Sequence, residues 1–336
     1  MQQHSPLRDW TPGRAYTALS VTRRLAGDLA LPLNTLTGAR KGPTLAITTA
    51  IHGDETTPAM IVRSLFERLK CEDLTGRIAA VTVCNPPSVG AFGRQTPEQH
   101  GKTDLHEAFP GSAEGNLTQK IAHVLTRQVI DHADVLVDYH CGGSGGRLQE
   151  RVDIHKDAPP EVRAKSLALA RSFGTILVHD NALGNSAVGY ANKQGKTAFN
   201  AETGGVYLAP ADQDFYIKNG VEGFLRVLRQ LGMIEGGAPK LRRQLLFATK
   251  ARHEANPRQG GYLVSEFQSA QDLGKPVAKG TLLGTLYDLY TLEPVEELRA
   301  PADGILQFSR YSGAIDAGTK AFALAEEAAS EWLDAQ

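Results

Sequence analysis

The chain has 336 residues, 41% hydrophobic and 22% charged, enough for one large domain and a smaller one. Its 36 Lys and Arg against 37 Asp and Glu leave a formal charge of −1, which excludes the basic footprint of a nucleic-acid binder. Cys71, Cys84 and Cys141 are too few and too scattered for a disulfide framework or a Cys-rich zinc site, and read as small thiols in a reducing compartment.

Residues 1–17 carry His, Arg, Asp and two prolines without an apolar stretch, so no secretory signal is expected there. No run approaches the roughly 20 apolar residues of a membrane span, and the expected location is cytoplasmic. From residue 44 the chain alternates short β-rich runs with helical patterns. Strands are predicted at 44–51 (TLAITTAI), 77–84 (RIAAVTVC), 135–139, 175–179 and 196–201. Helices are predicted at 57–70, 117–132, 160–173 and 212–231; in the second of these, Ile121, Val124, Leu125 and Val129 share one face. Such alternation predicts an α/β domain with a mostly parallel sheet flanked by helices, its active site at the carboxyl ends of the strands. Near Gly236 the pattern changes. GGAPK reads as a linker, and the Gly-punctuated β-type runs after it predict a smaller C-terminal β domain closed by a short helix at 321–333. The expected division is 1–237 and 238–336.

Three motifs stand at predicted strand ends. His52-Gly53-Asp54-Glu55 follows the first strand and opens a helix, and imidazole and carboxylate are both good zinc ligands. A lone HxxE is also what a helix-start acid beside a surface histidine looks like, so position is what gives this one weight. Asp138-Tyr139-His140-Cys141-Gly142-Gly143 ends another strand. His140 would complete a His/Glu/His set that leaves one position open, and Asp138 is placed to orient a ligand from behind. Asn200-Ala201-Glu202-Thr203-Gly204-Gly205 ends a third, where a carboxylate could serve as general base or simply be an exposed loop glutamate.

Taken in order, HGDE, DYHCGG and ETGG resemble the motifs of the succinylglutamate desuccinylase/aspartoacylase family, a branch of the zinc carboxypeptidase-like superfamily. Between them Asn85-Pro86, Arg94 and Asp104-Leu105-His106-Glu107-Ala108-Phe109-Pro110-Gly111 resemble that family's NP…R…DLNRxFPG segment. The runs VAKGTLLGTL and RAPADGIL are similar to its biotinyl-carrier-like C-terminal appendage, although no Met-Lys-Met surrounds a lysine; Lys275, Lys279 and Lys320 read as surface residues.

The resemblance implies a zinc carboxypeptidase-like fold and one zinc per chain held by His52, Glu55 and His140. It also implies Glu202 as general base and Arg94 as the group that polarises the scissile carbonyl. The departure is His106-Glu107, where the family has Asn-Arg and the arginine grips a substrate carboxylate. Glu107 reverses that charge and points to an amine or other hydrogen-bond donor, unless it is spent on Arg147, Arg151 or Lys193. His106, Glu107, Tyr190 and Asn192 are the expected substrate-binding residues. The expected activity is deacylation of an N-acylated amino acid or related small amine, with no nucleic-acid or membrane partner and homo-oligomerisation left open. The rivals are a carboxypeptidase or esterase on the same centre, and a non-catalytic binding protein of the same fold.

Overall fold

The computed structural model describes residues 5–25, 27–98, 101 and 103–335. Strands β1 (Gly13–Arg24), β2 (Gly27–Thr37) and β3 (Arg40–Thr49) lead into helix α1 (Thr57–Arg68) and β4 (Thr75–Val81). Helices α2 (Pro86–Gly90) and α3 (Leu117–Gln128) precede β5 (Val135–Cys141), β6 (Gly146–Leu148) and β7 (Arg151–His155). Then come α4 (Pro160–Ser172), β8 (Leu177–Asn181), α5 (Ala187–Lys193), β9 (Thr197–Thr203) and α6 (Pro210–Gln230). The rest of the chain is β10 (Gln244–Ala248), β11 (Arg252–Ala255), β12 (Gly261–Ser265), β13 (Pro276–Val277), β14 (Leu282–Tyr287), β15 (Pro294–Arg299), β16 (Gly304–Arg310), β17 (Gly313–Ile315), β18 (Phe322–Glu326) and β19 (Glu331–Leu333).

Among the described residues the main sheet has ten strands in the order β1-β2-β4-β3-β5-β9-β7-β8-β10-β19. Its centre is parallel from β4 through β3 and β5 to β9, while β7 runs antiparallel to β9. The expected mixed, mostly parallel sheet is therefore present. Helices cover both faces: Ile61, Val62 and Leu65 of α1, Leu169 of α4 and Phe224 of α6 pack in one buried cluster, Ile121 and Leu125 of α3 and Val188 of α5 in another. Among the described residues no helix is long and apolar enough to cross a membrane.

Strand alternation places the polar groups. In β5, Val135, Val137 and Tyr139 face the α1/α4/α6 side, whereas Leu136 faces the α3/α5 side. Successive side chains alternate, so Asp138 and His140 follow Leu136 on that second face. In β9, Phe199 and Ala201 lie in the first cluster and Ala198 in the second, which puts Asn200 and Glu202 on the same face as His140. Beneath them Tyr139, Phe173 and Phe224 pack edge to face at 5.5–5.8 Å, a geometry that adds to the burial of large rings.

The expected helix at 321–333 is not there. Residues 322–326 form β18 between β11 and β16, and 331–333 form β19 at the edge of the main sheet. Ala, Leu and Glu favour helices, but burying Phe322, Ala323, Leu324 and Ala325 inside a sheet outweighs that preference. Two strands beyond Gly237, β10 and β19, complete the main sheet, while the remaining C-terminal strands build two further sheets, one of which also takes in β6. Lys320 is not a surface residue either: it is half-buried with Nζ 4.2 Å from the centre of the Phe308 ring.

Candidate active site

Strand β3 ends at Thr49, and Ala50 then takes φ 50°, a left-handed conformation that costs an L-residue about 1–2 kcal/mol. The bend is pinned from α2. Asn85 donates from its backbone to the Ala50 carbonyl (3.1 Å) and from Nδ2 to the Ile51 carbonyl (3.3 Å) and Thr96 Oγ1 (2.9 Å). Gly53 N lies 3.0 Å from Ser88 Oγ and 2.9 Å from the Gly93 carbonyl. A Cβ at Gly53 would fall 2.0 Å from the Ser88 carbonyl carbon, so only glycine fits. Gly53→Ala is expected to force the 50–55 turn away from α2, costing about 1–3 kcal/mol as overpacking does. The metal-free protein should melt a few degrees lower, and an unchanged melt would show that the turn yields freely.

The turn delivers His52 and Glu55 beside His140. His52 Nδ1 is 2.7 Å from Glu55 Oε1, and His140 Nδ1 is 2.9 Å from Glu55 Oε2. The outer nitrogens meet other carboxylates: His52 Nε2 lies 3.2 Å from Asp104 Oδ1 and His140 Nε2 3.0 Å from Asp138 Oδ2. Thr48 Oγ1 donates to Asp138 Oδ1 at 2.6 Å, fixing that carboxylate from the neighbouring strand. Two inward imidazole nitrogens around one carboxylate, each ring gripped from behind by an aspartate, is the donor set and outer support of a divalent metal centre. The residues present fit such an ion.

Electrostatics agree with the geometry. Burial alone would push His52 and His140 down, but the facing carboxylates reverse this and hold both above the usual histidine value. Burial likewise opposes ionisation of Glu55, yet the two imidazoles hold its carboxyl well below the usual range. Arg94 stands at the rim, about half exposed, with Nε 3.0 Å from Asp104 Oδ2 and Nη1 3.7 Å from Glu55 Oε1.

Glu202 is the register neighbour of His140 on β9, with its side chain 14% exposed. Burial pushes its carboxyl up, and Arg151 only partly pulls it back. Arg151 is its cross-strand neighbour on β7; Nη2 donates to Glu202 Oε1 at 3.1 Å and Nε to Asp153 Oδ1 at 2.7 Å. Sequence reading had offered Arg151 only as a companion for Glu107. The β7–β9 register that brings it to Glu202 is a tertiary fact with no local signature.

The expected substrate residues divide. His106 joins the cluster, its ring centre 5.1 Å from that of His140 and 5.7 Å from that of His52. Glu107 is exposed at the end of the same short turn, while Arg147 pairs with Asp212 and Lys193 Nζ donates to the Gly184 carbonyl. Tyr190 and Asn192 make their hydrogen bonds apart from the histidine cluster. The Tyr190 hydroxyl donates to Asp131, ahead of β5, whereas His140 lies five residues into that strand, about 16 Å along at the usual rise. Asn192 is fully buried and its Nδ2 faces Ser166 Oγ and the Lys196 carbonyl, tying α5 to α4 and to the chain entering β9.

Comparison with known proteins gives a consistent result. The sequence model of the succinylglutamate desuccinylase/aspartoacylase catalytic domain matches residues 41–231. An N-alpha-acetyl-L-2,4-diaminobutyric acid deacetylase of Halomonas elongata is 28% identical over 298 residues, 85% of this chain and 83% of that protein. Among solved structures, the product-bound ectoine utilization protein EutE (DoeB) of Ruegeria pomeroyi is 25% identical, with a TM-score of 0.78 over 94% of this chain and 95% of that one. A succinylglutamate desuccinylase from a Silicibacter species superposes with a TM-score of 0.81 at 24% identity, over 97% of this chain and 100% of that one. With more than half of the chain matched by one catalytic-domain family and the same fold in its solved relatives, the protein belongs to the succinylglutamate desuccinylase/aspartoacylase family.

Proposed function

We propose that this protein is a zinc-dependent amidohydrolase that removes the acyl group from an N-acylated amino acid carrying a second amine. The observation that carries the reading is the inward pair of Nδ1 atoms on the two oxygens of Glu55, with Glu202 one strand away. His52, Glu55 and His140 would hold the zinc, which when bound supplies Lewis acidity toward the amide oxygen. Glu202 accepts a proton from the attacking water and returns it to the departing nitrogen. Arg151 fixes one oxygen of the Glu202 carboxylate through its hydrogen bond of 3.1 Å. Arg94 donates to the carbonyl oxygen as it gains negative charge, a contribution worth more the drier the site becomes.

Two observations favour a cationic leaving group. Glu107 follows His106 in the turn 105–107, where the family pattern has an arginine, and the Halomonas relative is by name a deacetylase of an acetylated diamino acid. Because Glu107 is exposed, solvent screens it and its effect is modest, about 1 kcal/mol and so roughly five- to tenfold in rate. The test is a panel of N-acetyl-2,4-diaminobutyrate, N-acetyl-aspartate, N-succinyl-glutamate, dipeptides and esters. The diamino acid should give the highest kcat/KM, and Glu107→Arg should narrow its lead over the acidic substrates. A wild-type enzyme that cleaves N-acetyl-aspartate fastest would reverse the substrate assignment. Faster cleavage of dipeptides or esters would replace the deacylase reading with its peptidase or esterase rival.

A further inference from the structure

We infer that His106 is a further metal-facing ligand, so that this chain presents three imidazoles and a carboxylate to its ion. The inference rests on the metal-dependent reading above and adds a donor to it. Among the described residues, His52, His106 and His140 form a group in which one ligand atom of each lies within 4.8 Å of the others. The His106–His140 ring separation of 5.1 Å equals that of His52 and His140 themselves. His106 thus stands close enough to both rings to face the same ion.

Its placement is built, not incidental. The turn Leu105–Glu107 begins at Asp104, whose Oδ1 accepts from the His106 backbone N at 3.0 Å and also lies 3.2 Å from His52 Nε2. One carboxylate therefore sets the backbone of His106 and the ring of His52 together. The His106 side chain is 20% exposed, yet its Nδ1 is buried without a hydrogen-bond partner, and Asp138 Oδ2 stands 3.8 Å away, beyond hydrogen-bond length. A buried ring nitrogen without a protein partner is costly unless a ligand satisfies it. A shift of the ring toward the ion satisfies it, and zinc accommodates five ligands, so a fourth protein donor still leaves room for reaction. A nitrogen-rich set also selects zinc, cobalt or nickel over magnesium or manganese.

The experiment uses the full chain, stripped of metal and reloaded with zinc or cobalt(II). Zinc affinity is measured by chelator competition and the cobalt centre by its visible absorption, for wild type, His106→Asn, His106→Gln and His52→Ala. Both His106 variants should bind zinc about ten- to a hundredfold more weakly and show shifted cobalt bands, with the melting of the metal-free protein unchanged. The second variant is read if the first does not fold. Wild-type affinity and wild-type bands in a folded His106 variant, alongside metal loss in His52→Ala, overturn the role of His106 alone. A wild-type chain that takes up neither metal overturns the metal centre itself.

Discussion

Glu202→Gln is expected to lower turnover by about two to four orders of magnitude while zinc content and substrate affinity stay near those of the wild type. The glutamine keeps the shape of the side chain and an oxygen for Arg151, 3.1 Å away, but it cannot take a proton. Metal content should be spared because none of the close contacts among His52, Glu55 and His140 involves Glu202. The pH profile supplies the finer test. A base acts only when deprotonated, so the rate rises with pH through its pKa. Burial raises the Glu202 pKa, which moves this acid limb to higher pH than an ordinary glutamate would give. The limb should vanish in the variant. Near-native turnover, or an unchanged limb, would place the base elsewhere.

The second large effect is expected at His140. His140→Ala should weaken metal binding by at least about a hundredfold, roughly 2.7 kcal/mol, and abolish measurable hydrolysis, as should His52→Ala. Each substitution removes one of the two inward nitrogens that face Glu55. In His140→Ala, Asp138 also loses the ring it orients and is left as a buried carboxylate held by Thr48 alone at close range. Elemental analysis of purified protein checks the result: about one zinc per wild-type chain and little in either variant. Full activity from preparations without any transition metal would remove the basis of the mechanism.

Much of the architecture was legible because its signals are local. The runs 44–51 and 135–139 are continuous, β-rich and buried on both sides, as central parallel strands must be, and the motif residues follow where such strands end. The β1–β2 hairpin gave no comparable signal. β1 lies at the sheet edge with most residues exposed, so its sequence carries no hydrophobic pattern. The helix expected at 321–333 failed for the opposite reason, since its composition favours a helix while its burial requires strands.

Within the site, the motifs put His52 and Glu55 just after β3 and His140 and Glu202 at the ends of β5 and β9, while Arg94 lies in the loop after α2, because a motif fixes position along the chain. Orientation is another matter. Whether Asn192 points to the cleft or to Ser166 depends on how α5 is rotated against α4, and no spacing rule encodes that. Arg151 becomes a partner of Glu202 only through pairing of β7 with β9, across fifty intervening residues.

The short strand β6 ties these observations to the C-terminal layers. Leu148 pairs with Phe308 and Arg147 with Ser309, so the segment leaving His140 is hydrogen-bonded into β16. Tyr311 then donates to the Val206 carbonyl, clasping the loop that leaves Glu202. Both β5 and β9 therefore hand their chains directly to the C-terminal layers. Those layers are a buttress, not a detachable cassette: exchanging them between family members is expected to reset the segments that follow His140 and Glu202.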